Sequence, residues 1–361
     1  MCGKLSIMKE KGDRDGADGV MIELIGRSKK QYKANLHCHS TLSDGKITPE
    51  ELKRMYRERG YSILAITDHE VPYDHSAMSE EDFLMLTGYE AYIRGNRRGL
   101  YDVYARETHL NLFARDPHNE TMVCYNREYA KYVLKLRPLS KLKRVGSSRI
   151  RKYEREYVQE FIDTAREAGY LVGYNHPYWS MESEADILSY EGCFSLEIAN
   201  GNALTLSRLE YNAPLYDRML TMGKRIYCHA ADDNHNKFPE GDPDFDSFCA
   251  YTYILADSLD YPSVIDALER GEFYASRGPR IEYMAMEGST LTVECSPAEH
   301  IYVYTGSKVP RRAHARDGVP LTRASFEIGE RAKYIRVTVF AADGSTADSR
   351  GYFPDEFREE K

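Results

Sequence analysis

No run of about 18 apolar residues occurs anywhere in the chain, so no membrane-spanning helix is predicted. The first residues also lack the apolar core of a secretory signal. Met1 to Gly19 is polar, with Lys4, Lys9, Lys11 and Asp13, and residues 1–30 read as an N-terminal extension. There is no excess of positive charge. Lys and Arg number 49 against 57 Asp and Glu, a formal net charge of -8, which argues against a general affinity for duplex nucleic acid. No zinc-finger spacing, internal repeat or low-complexity block is present. None of the seven cysteines (Cys2, Cys38, Cys124, Cys193, Cys228, Cys249 and Cys295) forms a C-x-x-C pair, and the number is odd. Free thiols in a reducing cytoplasm fit that pattern better than a disulfide framework.

Alternating strands and helices are what the sequence does contain. Tyr32 to His37 reads as a short strand. Thr48-Pro49-Glu50-Glu51 is a helix start, with Thr48 as cap, Pro49 at the first position and Glu51 completing a capping box. Gly60 ends that helix, and Tyr61 to Thr67 is a buried strand that delivers Asp68 and His69. Strand-like runs then end near Glu90, His109, His176, Asn200 and Asp233, with helical stretches at Arg151 to Ala168 and Ser207 to Met222. Seven strands with helical crossovers predict an α/β barrel, irregular and one strand short of eight. Tyr261 to Arg270 is a short helix stopped by Gly271. After it, segments such as Leu291–Cys295, His300–Tyr304 and Tyr334–Phe340 alternate as β-structure. The expected layout is a barrel over 31–275, carrying a basic insertion at about 115–155, and a small β-rich domain over 276–361.

The polar residues gather at the strand ends. On an extended strand His37 and His39 point to one side, roughly 6–7 Å apart, so two imidazoles can grip one cation; Cys38 then faces away into packing. Asp44, before Gly45, is either a ligand or a turn-former. Asp68 beside His69 is expected to hold that imidazole's tautomer. Glu90 ends its strand, and a carboxylate can bridge two cations as no histidine does. His109 lies in an apolar run, where a satisfied core histidine competes with a ligand. His176, before Pro177, stands at a strand end. Asp233-x-His235, if extended, again presents a carboxylate and an imidazole together. Asp232 is its rival, and His229 has the parity to line the pocket. The mixed histidine and carboxylate set suits Zn²⁺, Mn²⁺ or Fe²⁺ better than Mg²⁺ or Ca²⁺.

Taken in order, these residues resemble the PHP (polymerase and histidinol phosphatase) family: His37-x-His39 with Asp44, Thr67-Asp68-His69, Glu90, His109, His176 and Asp233-x-His235. The resemblance covers about residues 31 to 275 and implies a distorted (β/α)₇ barrel with a trinuclear site. It implies that His37, His39, Glu90 and Asp233 hold one metal, with Glu90 bridging to a second held by His109 and His176. Asp44, His69 and His235 would hold the third. Two features vary from the compact form of the family. Arg137 to Arg155 carries eight cations against Glu154 alone, a lid over a phosphate or a solvated insertion. The run Phe273-Tyr274-Ala275-Ser276-Arg277-Gly278-Pro279 resembles a tail of PHP-like hydrolases, some of which cleave other bonds.

The expected activity is hydrolysis of a phosphate ester, in a small phosphomonoester, a nucleotide or an oligonucleotide end. Two or three divalent ions would activate the attacking water. Glu90 and Asp233 are the expected catalytic carboxylates, with His229 as a candidate proton donor. Arg144, Arg149 and Arg277 are the expected substrate contacts. A carboxylic or carbamic ester hydrolase and a non-catalytic metal-stabilised barrel are the rival readings. An amidohydrolase barrel also begins with H-x-H, but it explains Thr67-Asp68-His69 and Asp233-x-His235 less well.

Overall fold

The computed structural model describes residues 7–8, 21–95 and 103–357; most of the N-terminal extension, with Cys2, lies outside the described residues. Met21–Ile25 forms β1 and Lys30–Asn35 forms β2. Helix α1 (Pro49–Glu58) begins as its capping residues predict, with Thr48 Oγ1 accepting the Glu51 N–H at 3.3 Å, and it buries Leu52 and Tyr56. It leads to β3 (Ile63–Ile66) and then β4 (Leu84–Arg94), both parallel to β2. β5 (Glu107–Ala114) reverses direction, antiparallel to β4 and to β6 (Tyr170–Tyr174). Helix α2 (Arg155–Glu167) precedes β6. Next come β7 (Ser195–Asn200), α3 (Gly201–Ser207), α4 (Ala213–Thr221) and β8 (Tyr227–Ala231), with β6, β7 and β8 parallel.

The reversal at β5 corrects one expectation. His109 sits near the start of its strand, not its end. Because β5 runs against its neighbours, its start lies level with their C-terminal ends, so the histidine still reaches the same edge.

Beyond residue 250 the chain adds β9 (Tyr251–Ala256), antiparallel to β2, then α5 (Tyr261–Arg270) and β10 (Phe273–Ser276). Helix α5 has the predicted bounds because Asp260 caps its start and Gly271 takes the left-handed conformation at its end, φ 68°. The C-terminal region is β-rich: β11 (Ile281–Glu287), β12 (Thr290–Ala298), β13 (His300–Tyr304), β14 (Arg311–His314), β15 (Leu321–Glu327), β16 (Arg336–Phe340) and β17 (Thr346–Ser349). It does not stand apart. One sheet runs β8-β7-β6-β5-β4-β3-β2-β9-β10-β17-β16-β13-β14, and the other joins Ile7–Met8, β1, β11, β12 and β15. Part of what reads as an N-terminal extension, Met21–Ile25, is therefore a strand of the C-terminal sheet.

Apolar clusters hold these layers, and two of the clusters lie against the large sheet. Leu36, Ile63, Leu86, Phe113, Leu171 and Ile254 pack inside the first half of the large sheet. Ile25, Met284, Val293, Ile301 and Val337 fill the space between the two sheets. At the far end of the order, the segments after β2 and β8 meet: the Asp233 N–H donates to His37 O at 2.8 Å and the His39 N–H to Asn234 O at 3.0 Å. Among the described residues no helix is long and apolar enough to cross a membrane, and the six described cysteines are free. Cys38 packs among Leu52, Tyr56 and Leu64, turned away from its flanking histidines.

Candidate metal centre

Nine side chains from seven segments meet at the edge where β2, β3, β6, β7 and β8 end. Glu90 is the hub. His37 Nε2, His109 Nδ1 and His176 Nε2 lie 3.3, 3.0 and 3.2 Å from its Oε1, while His39 Nε2 and His69 Nδ1 lie 3.4 and 2.9 Å from its Oε2. Asp233 stands on the other side, with Oδ1 3.1 Å from His37 Nε2 and 3.0 Å from His39 Nε2. Asp44 Oδ1 is 3.5 Å from His235 Nε2, 3.9 Å from His69 and 4.0 Å from His39. The loop that carries Asp44 needs its glycine, since a Cβ on Gly45 would lie 2.2 Å from His39 O.

The donor atoms fall into overlapping groups that can each hold an ion: His39, Asp44, His69 and His235; His37, His176 and Asp233; His37, His39 and Glu90; His69, Glu90 and His109. The partition differs in detail from the one the family resemblance implies, because His176 joins His37 and Asp233, and His69 also faces Glu90. Hydrogen bonding alone does not satisfy the cluster. His39 Nδ1, His69 Nδ1, Glu90 Oε2 and His109 Nε2 are buried without a hydrogen bond of good geometry, the 2.9 Å approach of His69 Nδ1 to Glu90 Oε2 being badly angled for one. Leaving such a group unpaired costs about 1–3 kcal/mol each. Converging nitrogen and oxygen lone pairs, packed ring on ring with His39 4.4 Å from His69 and 4.3 Å from His235, fit divalent metal ions.

The field of the site says the same. Burial alone would raise the pKa of Glu90, but the imidazoles of His109, His37 and His69 more than offset it and hold the carboxyl well below its ordinary range. Asp44 is likewise pushed up by burial, yet it is held down at about 2 by His69, His39 and His235. Burial opposes charge on His109, while Glu90 and Glu107 raise it to about 10. Carboxylates that pull protons onto buried imidazoles also pull cations into their midst.

Several positioning residues were not legible in the sequence. Glu197 is fully buried in β7; its Oε1 accepts from His37 Nδ1 at 3.1 Å, and its Oε2 accepts the His176 N–H at 2.9 Å and Asn200 Nδ2 at 2.8 Å. That bond leaves the Nε2 lone pair of His37 facing the cluster. Asn200 also donates to Asp233 Oδ2 at 3.1 Å, and His235 Nδ1 lies 3.0 Å from Asp233 O. A charged residue within the apolar run Leu196 to Ile198 was the available signal for Glu197.

Three expected roles are corrected. Asp68 does not hold His69; it accepts from the Ser40 N–H at 2.8 Å and from the Ser40 and Ser43 hydroxyls, fixing the loop that carries Asp44. Asp233-x-His235 is not extended, because Asp233 has φ 54°, a left-handed conformation that Asp tolerates better than most residues. Its rival Asp232 instead accepts the backbone N–H groups of Phe248, Cys249 and Ala250. His229 does not line the cavity. It is buried 2.9 Å from Ser195 Oγ and stacked on Phe194, and burial lowers its pKa to about 4.

A cavity of about 470 Å³ opens onto the cluster. Arg144, Arg149 and Arg277 are not among its lining residues. Arg144 lies exposed against Tyr125, Arg149 pairs with Glu160 of α2, and the Arg277 main chain bonds Thr346. The cations at the cavity are Arg94, Lys131 and Lys237, and its aromatic wall is Tyr92, Tyr132, Trp179 and Phe238. Lys131 and Tyr132 come from the basic insertion. That insertion is pinned by Arg151, fully enclosed, which forks onto Glu70 (Nη2 to Oε2 2.9 Å) and donates to Tyr92 O at 2.7 Å.

The chain is similar to several known proteins. A stretch of 75 residues is 35% identical to a 5′–3′ exoribonuclease of Haemophilus influenzae, covering 20% of this chain and 27% of that protein. The chain thus spans about a quarter of the relative it matches. Among solved structures, a two-domain protein from Bacteroides vulgatus containing a PHP-like metal-dependent phosphoesterase aligns over 98% of this chain and 90% of its own, at 12% identity and TM-score 0.45. A chain from Bifidobacterium adolescentis, described as a metal-dependent phosphoesterase, aligns over 67% of this chain and 98% of its own, at 18% identity and TM-score 0.38. An amidohydrolase from Chromobacterium violaceum aligns over 56% of this chain and 87% of its own, at 19% identity and TM-score 0.38. Similarities of that size carry nothing about what is bound or cut. The model of the PHP domain matches residues 35–184, a span that holds His37, His39, Asp44, His69, Glu90, His109 and His176, to which the fold adds Asp233 and His235. Residues 35–184 of this chain belong to the PHP domain family.

Proposed function

We propose that this chain is a metal-dependent phosphoesterase that hydrolyses the phosphate ester of a small phosphomonoester, a nucleotide or an oligonucleotide end. The observation that carries the reading is the sharing of Glu90 by five imidazoles beside Asp233 and Asp44, under a cavity rimmed by Arg94, Lys131 and Lys237. The exoribonuclease likeness supports the nucleotide end of that range. Two or three divalent ions, Zn²⁺, Mn²⁺ or Fe²⁺ by donor chemistry, would supply an acidified water and positive charge against phosphoryl oxygens.

The protein's part is placement. Glu90 and Asp233 each present two oxygens and so hold neighbouring ligand groups at a fixed spacing. Glu197 keeps the proton of His37 on Nδ1, away from the cluster. Lys131 and Lys237 meet the outer phosphate oxygens, and Arg94, held by Glu107 at 2.6 Å, offers its remaining donors beside them. Trp179, Tyr132 and Phe238 wall the leaving group. The crossing bonds from His37 to Asp233 and from His39 to Asn234 support closure of the strands into the distorted seven-stranded barrel of the family. Free buried thiols support a reducing, cytoplasmic setting.

The test is phosphate release from the metal-loaded chain, using nitrophenyl phosphate, nucleoside monophosphates and 5′-phosphorylated oligonucleotides, before and after chelation. Metal-dependent release from any of them supports the proposal; no turnover with Zn²⁺, Mn²⁺ or Fe²⁺ contradicts it. The apolar cavity wall also favours a second reading, hydrolysis of a carboxylic or carbamic ester, and nitrophenyl acetate and a carbamate in parallel separate the two.

A further inference from the structure

The far end of the large sheet carries a feature that the metal centre does not use. In β13, Ile301 and Val303 are buried in the core, while His300, Tyr302 and Tyr304 between them are half-buried on the opposite face. The register sets His300 between His314 and Phe340, and Tyr302 between Arg312 and Thr338. Directly opposed residues share a face. The rings form a row: Tyr302 lies 5.6 Å from Phe340, 5.8 Å from His314 and 6.2 Å from Tyr304, to which it is nearly parallel.

Cations border the row. Lys308 to Arg316 holds Lys308, Arg311, Arg312 and Arg316 with no acidic residue, in a chain whose net charge is -8. All four are exposed, and none forms an ion pair among the described residues. They sit on and around β14, the outermost strand of the sheet among the described residues.

Register also fixes which end of the row lies at which edge of the sheet. Ala34 pairs with Thr252 at the cluster end of β2, Tyr251 with Ser276, Ser276 with Ala347, Thr346 with Phe340, and Phe340 with His300. Each step is at a strand end, so the His300 end of the row lies along the edge that bears the metal ligands.

We propose that this aromatic and basic face docks single-stranded nucleic acid, whose terminal phosphate then reaches the metal cluster. Stacking needs unpaired bases, each offering a ring face to Tyr302 and Phe340, while Arg312, Arg316 and Lys308 follow the backbone. A duplex hides its bases and needs a wider basic footprint than three side chains, since Arg311 opposes Val303 and so lies on the other face. The delivery half rests on the phosphoesterase reading; the docking half does not.

Fluorescence anisotropy on the full metal-loaded chain tests it, with a labelled, phosphorothioate-linked RNA of about twelve nucleotides, within the span of such platforms. Tyr302→Leu should weaken binding by about 5- to 100-fold with little change in salt dependence. Arg312→Ala with Arg316→Ala should flatten the log–log salt slope by about 1.4, at about 0.7 per phosphate. Lys141→Ala with Lys143→Ala, in the insertion, should bind as the parent does. Thermal melts confirm that each variant is folded; if Tyr302→Leu is not, Tyr302→Phe should bind as the parent and the arginine pair carries the test. Nitrophenyl phosphate turnover should be unchanged in all of them, and a parent chain that releases phosphate from no phosphoester with any of the metals would sink the phosphoesterase reading alone. Absence of RNA binding, equal binding by the variants, or duplex bound as tightly as single strand would overturn the docking proposal. So would heparin binding that matches RNA and ignores Tyr302.

Discussion

Removing the guanidinium of Arg151 is the sharpest perturbation that the fold offers outside the candidate metal centre. Both Arg151 and Glu70 are fully enclosed, and the pair is bidentate. Glu70 also accepts the Tyr92 N–H at 3.0 Å while held at φ 56°, a conformation that L-residues other than Asn and Asp avoid. Arg151→Ala strands a buried carboxylate, which costs about 3–5 kcal/mol. With an unfolding entropy of about 2.1 cal/mol/K per residue, the 361 residues give about 0.76 kcal/mol/K. The melting temperature should therefore fall by about 4–7 °C. Calorimetry of the metal-loaded protein reads it directly. Because the buried charge is the cost, Arg151→Met with Glu70→Leu should recover most of the loss. The single variant should also raise KM, since Arg151 anchors the segment that brings Lys131 and Tyr132 to the cavity. A drop of less than 1 °C, or a double variant as damaged as the two singles added, would refute the reasoning.

Three further outcomes follow from named contacts. Glu197→Gln removes the carboxylate that orients His37, and metal affinity measured by competition with a chromophoric chelator should fall about 10- to 100-fold. Glu182 has its pKa raised to about 8, chiefly because its carboxyl is buried, with Thr108 Oγ1 donating to it at 2.6 Å. A raised acid pKa means that the folded state holds a proton the unfolded chain has released, so the stabilisation is lost as pH climbs from about 4.5 through about 8. Glu182→Gln should flatten that part of the melting curve against pH, matching the parent near about pH 4 and exceeding it by a margin that grows up to about pH 8. His229→Asn should leave kcat within about threefold, because the ring packs on Phe194 away from the cavity; a loss beyond about a hundredfold would restore it as a proton donor.

How far the sequence reveals this protein depends on the range of each interaction. The α1 start is written in four consecutive residues and α5 in its two caps, so both were readable. The nine side chains that converge at the candidate metal centre were readable too, because apolar strands that run into His or Asp have little packing reason to do so, although Glu90 stands within its strand, Leu84–Arg94, and not at its end. Direction was not. Nothing local tells β5 to run against β4, and His109 was assigned to the wrong end of its strand although to the right edge. Pairings distant along the chain were silent as well. Arg151 reads as one of eight cations in a basic run until Glu70 is seen folded against it. Glu197 is a single charge inside an apolar strand, and Met21–Ile25 shows no sign that its partner strand is β11. The three arginines expected to meet substrate were selected by local charge density; the cavity instead takes Arg94, Lys131 and Lys237 from three separate segments.

The most direct measurement is the metal content of the purified, loaded chain, by plasma mass spectrometry and by anomalous diffraction at the metal edges. The account expects two or three divalent ions per chain within reach of Glu90, and a loss of at least one in Glu90→Ala while the fold persists. Fewer than one ion per chain, or a Glu90→Ala protein that keeps its full complement, would contradict it.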